Sequence, residues 1–132
     1  MTDHIPFSLK ARRLSFRHAI AGIWVLLSTQ HNARIHLLAT IAVCATAAWL
    51  GVSSAEWCIL LLAMMAVWIA EASNSALEFL ADAVSQDPHP FIKNAKDLAA
   101  SAVLIASLGS LVIGVLVLGP HVLRVCRPSC SP

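Results

Sequence analysis

Five polar residues share one short stretch of an otherwise apolar sequence: Glu71, Asn74, Ser75, Glu78 and Asp82. On a helix that advances about 100° per residue, Ser75 lies about 40° from Glu71, Glu78 and Asp82 about 20° to either side of it, and Asn74 about 60° away. The five therefore form one stripe. Clustered carboxylates suit two tasks, holding a divalent cation through hard oxygen ligands and accepting a proton as a general base whose basicity rises with burial or a neighbouring like charge. Phosphoryl transfer uses both and also needs cations near the phosphates. Lys93 and Lys96 lie just beyond, across a connector, and Asn94, Lys96 and Asp97 open the next hydrophobic run, where Asn94 would be an ordinary helix cap. A helix end rising into lipid headgroups would account for a solvated Asp82. It accounts poorly for Glu71, which follows fourteen apolar or small residues and would stand at membrane depth, where ionisable groups are costly unless paired, hydrated or metal-bound.

The elements that carry this stripe follow from composition. Of the 132 residues, 58% are hydrophobic and only 12% charged, more apolar surface than a soluble domain of this size can hide. The net charge of +2 and the lack of an arginine-rich stretch interleaved with aromatics exclude a nucleic-acid partner. Cys44 and Cys58 lie deep in hydrophobic runs, and no pair among these and Cys126 and Cys130 has CxxC spacing, which argues against a cysteine metal site. The start of the chain is basic and then moderately apolar, without the core and cleavage site of a secretory signal, so the N-terminus is expected to be retained.

Residues 7–32 alternate apolar positions (Leu9, Leu14, Phe16, Ile20, Ile23) with Lys10, Arg12, Arg13, Arg17 and His18, the pattern of an amphipathic helix lying on a membrane surface. Residues 35–52 make an uncharged helix that is short for a span, since about 20 residues are needed to cross a hydrocarbon core of roughly 30 Å. After a turn at 51–54, a second helix covers 57–84, apolar as far as Ala70 and polar on one face beyond it. Asp87, Pro88, His89 and Pro90 form a breaker-rich connector. A third helix covers 96–118, in which Leu98 to Leu118 are 21 residues without a charge. The fold expected is an all-α integral membrane protein: one domain over 1–132, with three transmembrane helices preceded by an amphipathic surface helix. Residues 128–132 favour no regular structure. Lys and Arg number five in the arm with Arg34, two in the connector, none in the 51–56 turn and two in the tail, which places the arm and connector, and the polar end of the second helix, in the cytoplasm.

Two segments, EASNSALEFLAD (Glu71 to Asp82) and HPFIKNAKDLAASAVLI (His89 to Ile105), resemble the signature stretches of the prokaryotic diacylglycerol kinase family, which includes undecaprenol kinases. SFRHAIAGI (Ser15 to Ile23) and NARIH (Asn32 to His36) resemble its N-terminal pattern, especially in the undecaprenol-kinase-like branch. The resemblance covers about residues 12–118, and ExxNxxxE with AKD at this spacing is its most specific part. It implies a bacterial inner-membrane, multi-pass lipid kinase with its active site on the cytoplasmic face, using ATP and Mg²⁺. Glu71 matches the general base that accepts the proton of a lipid hydroxyl. Asn74 matches a polar residue of the ATP site, Glu78 a carboxylate for the magnesium, Lys96 the phosphate-contacting lysine and Asp97 its acidic neighbour. Arg12 or Arg13 matches the family's N-terminal arginine. The resemblance further implies a homotrimer whose active sites combine helices of neighbouring chains. At Gln30 the family commonly has a metal-binding glutamate; glutamine keeps an oxygen ligand and loses the charge. His31 and His36 are read as solvated histidines of a surface helix.

The function expected is transfer of the terminal phosphate of ATP to a membrane lipid alcohol, undecaprenol or diacylglycerol, with the branch-specific segments favouring undecaprenol. A non-catalytic oligomeric membrane protein whose polar stripe is structural would leave the lysines without a role. A proton or ion conduit would need polar residues across the whole bilayer, whereas the rest of these helices offers only small hydroxyls such as Ser101, Ser107 and Ser110.

Overall fold

The computed structural model describes residues 9–85 and 87–126, and every element among them is an α-helix: α1 (Leu9–Thr29), α2 (His31–Leu50), α3 (Ser54–Val84) and α4 (Pro90–Cys126). Three of these, α2, α3 and α4, are long and apolar enough to cross a membrane. The chain is a multi-pass helical membrane protein with an N-terminal helix. The start of the arm at Phe7 and the tail at 128–132, expected to be irregular, lie outside the described residues.

The first junction differs from the sequence reading. The arm helix ends at Thr29 instead of running to 32, and α2 begins at His31 instead of 35. Neither glycine nor proline marks the break. Gln30 takes an extended conformation (φ −98°, ψ 118°) while its N–H still bonds to the Leu26 carbonyl at 3.0 Å. Arg34, one turn into α2, donates back to the last carbonyls of α1, through Nε to Leu27 O at 2.9 Å and through Nη2 to Ser28 O. Those carbonyls have no partner within their own helix and carry the negative end of its dipole, so a guanidinium satisfies them and fixes the corner. Started at His31, α2 has 20 residues and reaches about 30 Å, enough for a hydrocarbon core.

Gly51 ends α2 in the left-handed region (φ 64°, ψ 43°), and Val52 N–H returns to the Ala47 carbonyl at 3.3 Å. The positive φ favours glycine, since a side chain there would be strained. Ser53 then caps α3 in a reciprocal box: Glu56 N–H donates to Ser53 Oγ at 3.3 Å, and Ser53 N–H donates to Glu56 Oε2 at 2.7 Å. The box starts α3 at Ser54, one turn before the expected 57. With 31 residues, α3 is about 46 Å long, longer than the hydrocarbon core needs.

α4 also exceeds its expected bounds, starting at Pro90 instead of 96 and continuing to Cys126 instead of 118. Pro90 takes the first helical position, where a missing N–H costs nothing. His89 before it accepts the Phe91 N–H on Nδ1 at 3.3 Å, and its carbonyl accepts the Lys93 N–H at 3.0 Å. Asn94 therefore lies inside the helix and does not cap it.

α3 and α4 form the main packed pair, an antiparallel hairpin. Side-chain contacts mark both its ends, the Lys96–Asp82 ion pair at 2.6 Å and the His121–Glu56 hydrogen bond at 2.8 Å. The partners are 26 residues apart on α3 and 25 on α4, so the two helices keep register along their length. Ala47, Val52, Leu60 and Met64 make the apolar core, flanked by Trp57 and Leu118, on the side of the α2–α3 turn. Trp68 Nε1 donates to Thr40 Oγ1 at 3.1 Å and ties α3 to α2 one turn before Glu71. α4 has no buried residue, and Leu98, Ile105, Leu111 and Leu116 stand open along it. Such a face is stable only against lipid or further protein.

Candidate functional site

Along α3 the polar stripe passes from the interior to the surface. Glu71 is 1% exposed, and Asn74 and Ser75 are also buried; Glu78 is half-buried and Asp82 exposed. Packing within the chain sets the gradient, and helix length adds a difference in membrane depth to it. Glu71 lies about 26 Å along the axis from Ser54 and Asp82 about 42 Å, so the first meets the inner edge of a hydrocarbon core and the second the headgroups.

Within the stripe, Ser75 Oγ donates to the Glu71 carbonyl at 2.9 Å, and Asn74 Nδ2 donates to Glu78 Oε1 at 3.2 Å. Glu71 Oε2 and Asn74 Oδ1 are buried without a hydrogen-bond partner. Buried polar atoms are rarely left so. Two oxygens of neighbouring side chains thus remain open to a proton donor or a cation. The titratable groups that act on the Glu71 carboxylate through space are His36 and Glu78. His36 is half-buried in α2, which corrects its reading as a solvated surface histidine; His31 is exposed, as expected.

The connector brings the cations back to this end of the hairpin. Lys96 Nζ donates to Asp82 Oδ1 at 2.6 Å and is also acted on by the Glu78 carboxylate. Lys93 pairs with Asp97 one turn away on the same helix at 2.5 Å. Asp97, expected beside Lys96, is thus occupied with Lys93. Asp82, Asp87, His89, Lys93 and Lys96 line a cavity of about 590 Å³ under the connector, with Ser85 Oγ accepting the Asp87 N–H at 3.1 Å to shape the turn.

Two expected residues stand apart from this group. Arg12 is exposed on the early turns of α1. Gln30 is half-buried at the α1–α2 corner, and its side chain does not cap α2. The described residues contain no group of three or more His, Cys, Asp and Glu side chains able to hold a metal. One or two carboxylates completed by phosphate oxygens is nevertheless the usual protein share of a magnesium site, and the open oxygens of Glu71 and Asn74 beside Glu78 are hard donors of that kind. The described cysteines, Cys44, Cys58 and Cys126, are free.

Fold and site define a multi-pass helical membrane protein with a carboxylate stripe, buried at Glu71 and exposed at Asp82, and adjoining lysines at one end of a helical hairpin. The family model described as prokaryotic diacylglycerol kinase matches residues 17–118, and the chain belongs to that family of kinases. A diacylglycerol kinase of Synechocystis sp. is 39% identical over 111 residues, covering 83% of this chain and 63% of that protein. An undecaprenol kinase of Bacillus subtilis is 36% identical over 106 residues, covering 80% of this chain and 86% of that protein. A diacylglycerol kinase of Escherichia coli is 33% identical over 85 residues, covering 64% and 66%.

Proposed function

We propose that this chain is an ATP-dependent lipid kinase, transferring the terminal phosphate of ATP to the hydroxyl of a membrane lipid alcohol with Glu71 as general base. The observation that carries the reading is the buried Glu71 carboxylate with one oxygen unpartnered, in a family of kinases. A lipid hydroxyl arriving from the bilayer gives its proton to Glu71 as its oxygen attacks the terminal phosphorus. The new O–P bond forms, the bond to the bridging oxygen breaks, ADP leaves, and the proton remains on Glu71 until water or product takes it. Catalysis is then chiefly positioning and charge neutralisation.

Lys96 offers its ammonium to the phosphates, and Asn74 and Arg12 serve the nucleotide. Asp97 steadies the start of α4 through Lys93. Glu78 would hold the magnesium that accompanies ATP, and Gln30, which stands apart from Glu78 within one chain, would add an uncharged oxygen donor from a neighbouring chain of the trimer. Bound there, Mg²⁺ would neutralise phosphate charge.

Relatives of both names, diacylglycerol kinase and undecaprenol kinase, stand at similar identity. The SFRHAIAGI and NARIH segments favour undecaprenol as acceptor. The distribution of Lys and Arg supports a site on the cytoplasmic face of a bacterial inner membrane. The open apolar surface of α4 supports assembly into a homotrimer within the bilayer.

The test is phosphate transfer from radiolabelled MgATP in mixed micelles, with diacylglycerol and undecaprenol offered in parallel and Glu71→Gln beside the wild type. Transfer to one lipid, lost by at least a hundredfold in the variant, is expected of a removed general base. A folded wild type that phosphorylates neither lipid would sink the reading.

A further inference from the structure

The roles proposed above leave one close contact of the site unused, the pair between Asp82 of α3 and Lys96 of α4. The two connector lysines are held in different ways. Lys93 is tied within its own helix, four residues from Asp97, with its side chain 75% exposed. Lys96 is tied across the hairpin to a residue 14 positions earlier at 2.6 Å, with its side chain 36% exposed. Its ammonium stands on the polar stripe, under the influence of both Glu78 and Asp82. Glu78 accepts from Asn74 at 3.2 Å, and the direct hydrogen bond of the ammonium goes to Asp82.

A lysine side chain is a flexible four-carbon stem whose charge is placed only by what it bonds. Lys96 starts from the second turn of α4, and both it and Asp82 line the cavity under the connector. Resting on the kinase reading, we infer that Asp82 is a positioning residue: it sets the Lys96 ammonium at the mouth of the site, where the phosphates of ATP meet it. The carboxylate takes no part in the transfer and touches neither reacting atom. An exposed pair of this kind is weak enough to yield, so the ammonium can turn from one carboxylate to a polyphosphate without a large barrier. A purely structural clamp between α3 and α4 would instead be indifferent to the nucleotide.

The experiment is steady-state transfer by the full chain in mixed micelles at varied MgATP, comparing wild type, Asp82→Asn, Asp82→Glu, Lys96→Gln and the Asp82→Asn/Lys96→Gln double variant. With the pair worth what exposed ion pairs are worth, Asp82→Asn is expected to raise KM for MgATP about three- to fivefold and to lower kcat by less than that. Asp82→Glu, which keeps the charge, should return KM to within about twofold of wild type. In the Lys96→Gln background the Asp82→Asn change should leave KM where it was, because there is no ammonium to place. An unchanged KM in Asp82→Asn, or the same rise with and without Lys96, overturns the assignment. If Asp82→Asn fails to fold while Asp82→Glu folds, the pair belongs to hairpin stability and the assignment is likewise lost. In each of these cases an active wild type leaves the kinase reading standing, whereas an inactive wild type removes both.

Discussion

Glutamine at position 30 has an oxygen to offer a cation but no charge, and its side chain is not used as a helix cap. Charge count tunes divalent affinity at oxygen sites. Gln30→Glu should therefore lower the magnesium concentration giving half-maximal phosphate transfer by several-fold, and Glu78→Gln should raise it by about tenfold or more; metal titrations of the two variants test this. Magnesium curves identical to wild type in both would remove these residues from the metal. Asn74 acts between the two glutamates, bonding Glu78 through Nδ2 and leaving Oδ1 open. Asn74→Leu would strand Glu78 Oε1 and should reduce transfer well beyond tenfold while the protein remains folded.

Each helix has a local reason to start or stop, and these reasons set where the site sits. The Ser53–Glu56 box fixes the start of α3 and so the depth at which Glu71 emerges. Ser53→Ala should destabilise the protein by about 1 kcal/mol, visible as a lower melting temperature in detergent. Glu56 is both box partner and acceptor for His121 at 2.8 Å, so the Ser53→Ala and Glu56→Gln losses should not add; additive shifts would show the two contacts to be independent. At the other corner, Arg34→Ala removes a charged donor from two carbonyls of α1. It should loosen the α1–α2 junction and cost about 1–2 kcal/mol, with hydrogen exchange rising first at residues 27–34.

For the molecule as a whole, the single chain leaves much of its apolar surface uncovered. Three membrane-length helices bury a small share of their residues, and α4 buries none. Lipid covers part of that surface, and a trimer would cover more by helix-to-helix packing, for which Gly109, Gly114 and Gly119 of α4 leave open space. Light scattering in mild detergent, corrected for bound detergent, should give three chains per particle. A fully active monomer would contradict the proposed assembly.

The membrane class, the three apolar helices, the polar stripe and the family were all legible in the sequence. Apolar runs and 100° periodicity are local properties, and the ExxNxxxE and AKD segments are contiguous. Helix ends were less legible because side chains distant in sequence decide them: Arg34 reaches back to carbonyls six and seven residues away, and no glycine or proline announces the break at Gln30. Burial within the stripe could be ranked but not fixed. The structure makes Glu71 and Asn74 interior and Asp82 exterior, a matter of how far α3 outruns the core and what packs beside it. Partner choice belonged wholly to the tertiary structure. That Lys96 meets Asp82, leaving Asp97 to Lys93, that His36 comes within electrostatic reach of Glu71, and that His121 closes onto Glu56 depend on the register of the α3–α4 hairpin and on how α2 packs beside it. Such registers are set by packing over the whole length of the helices, and no local stretch of sequence contains them.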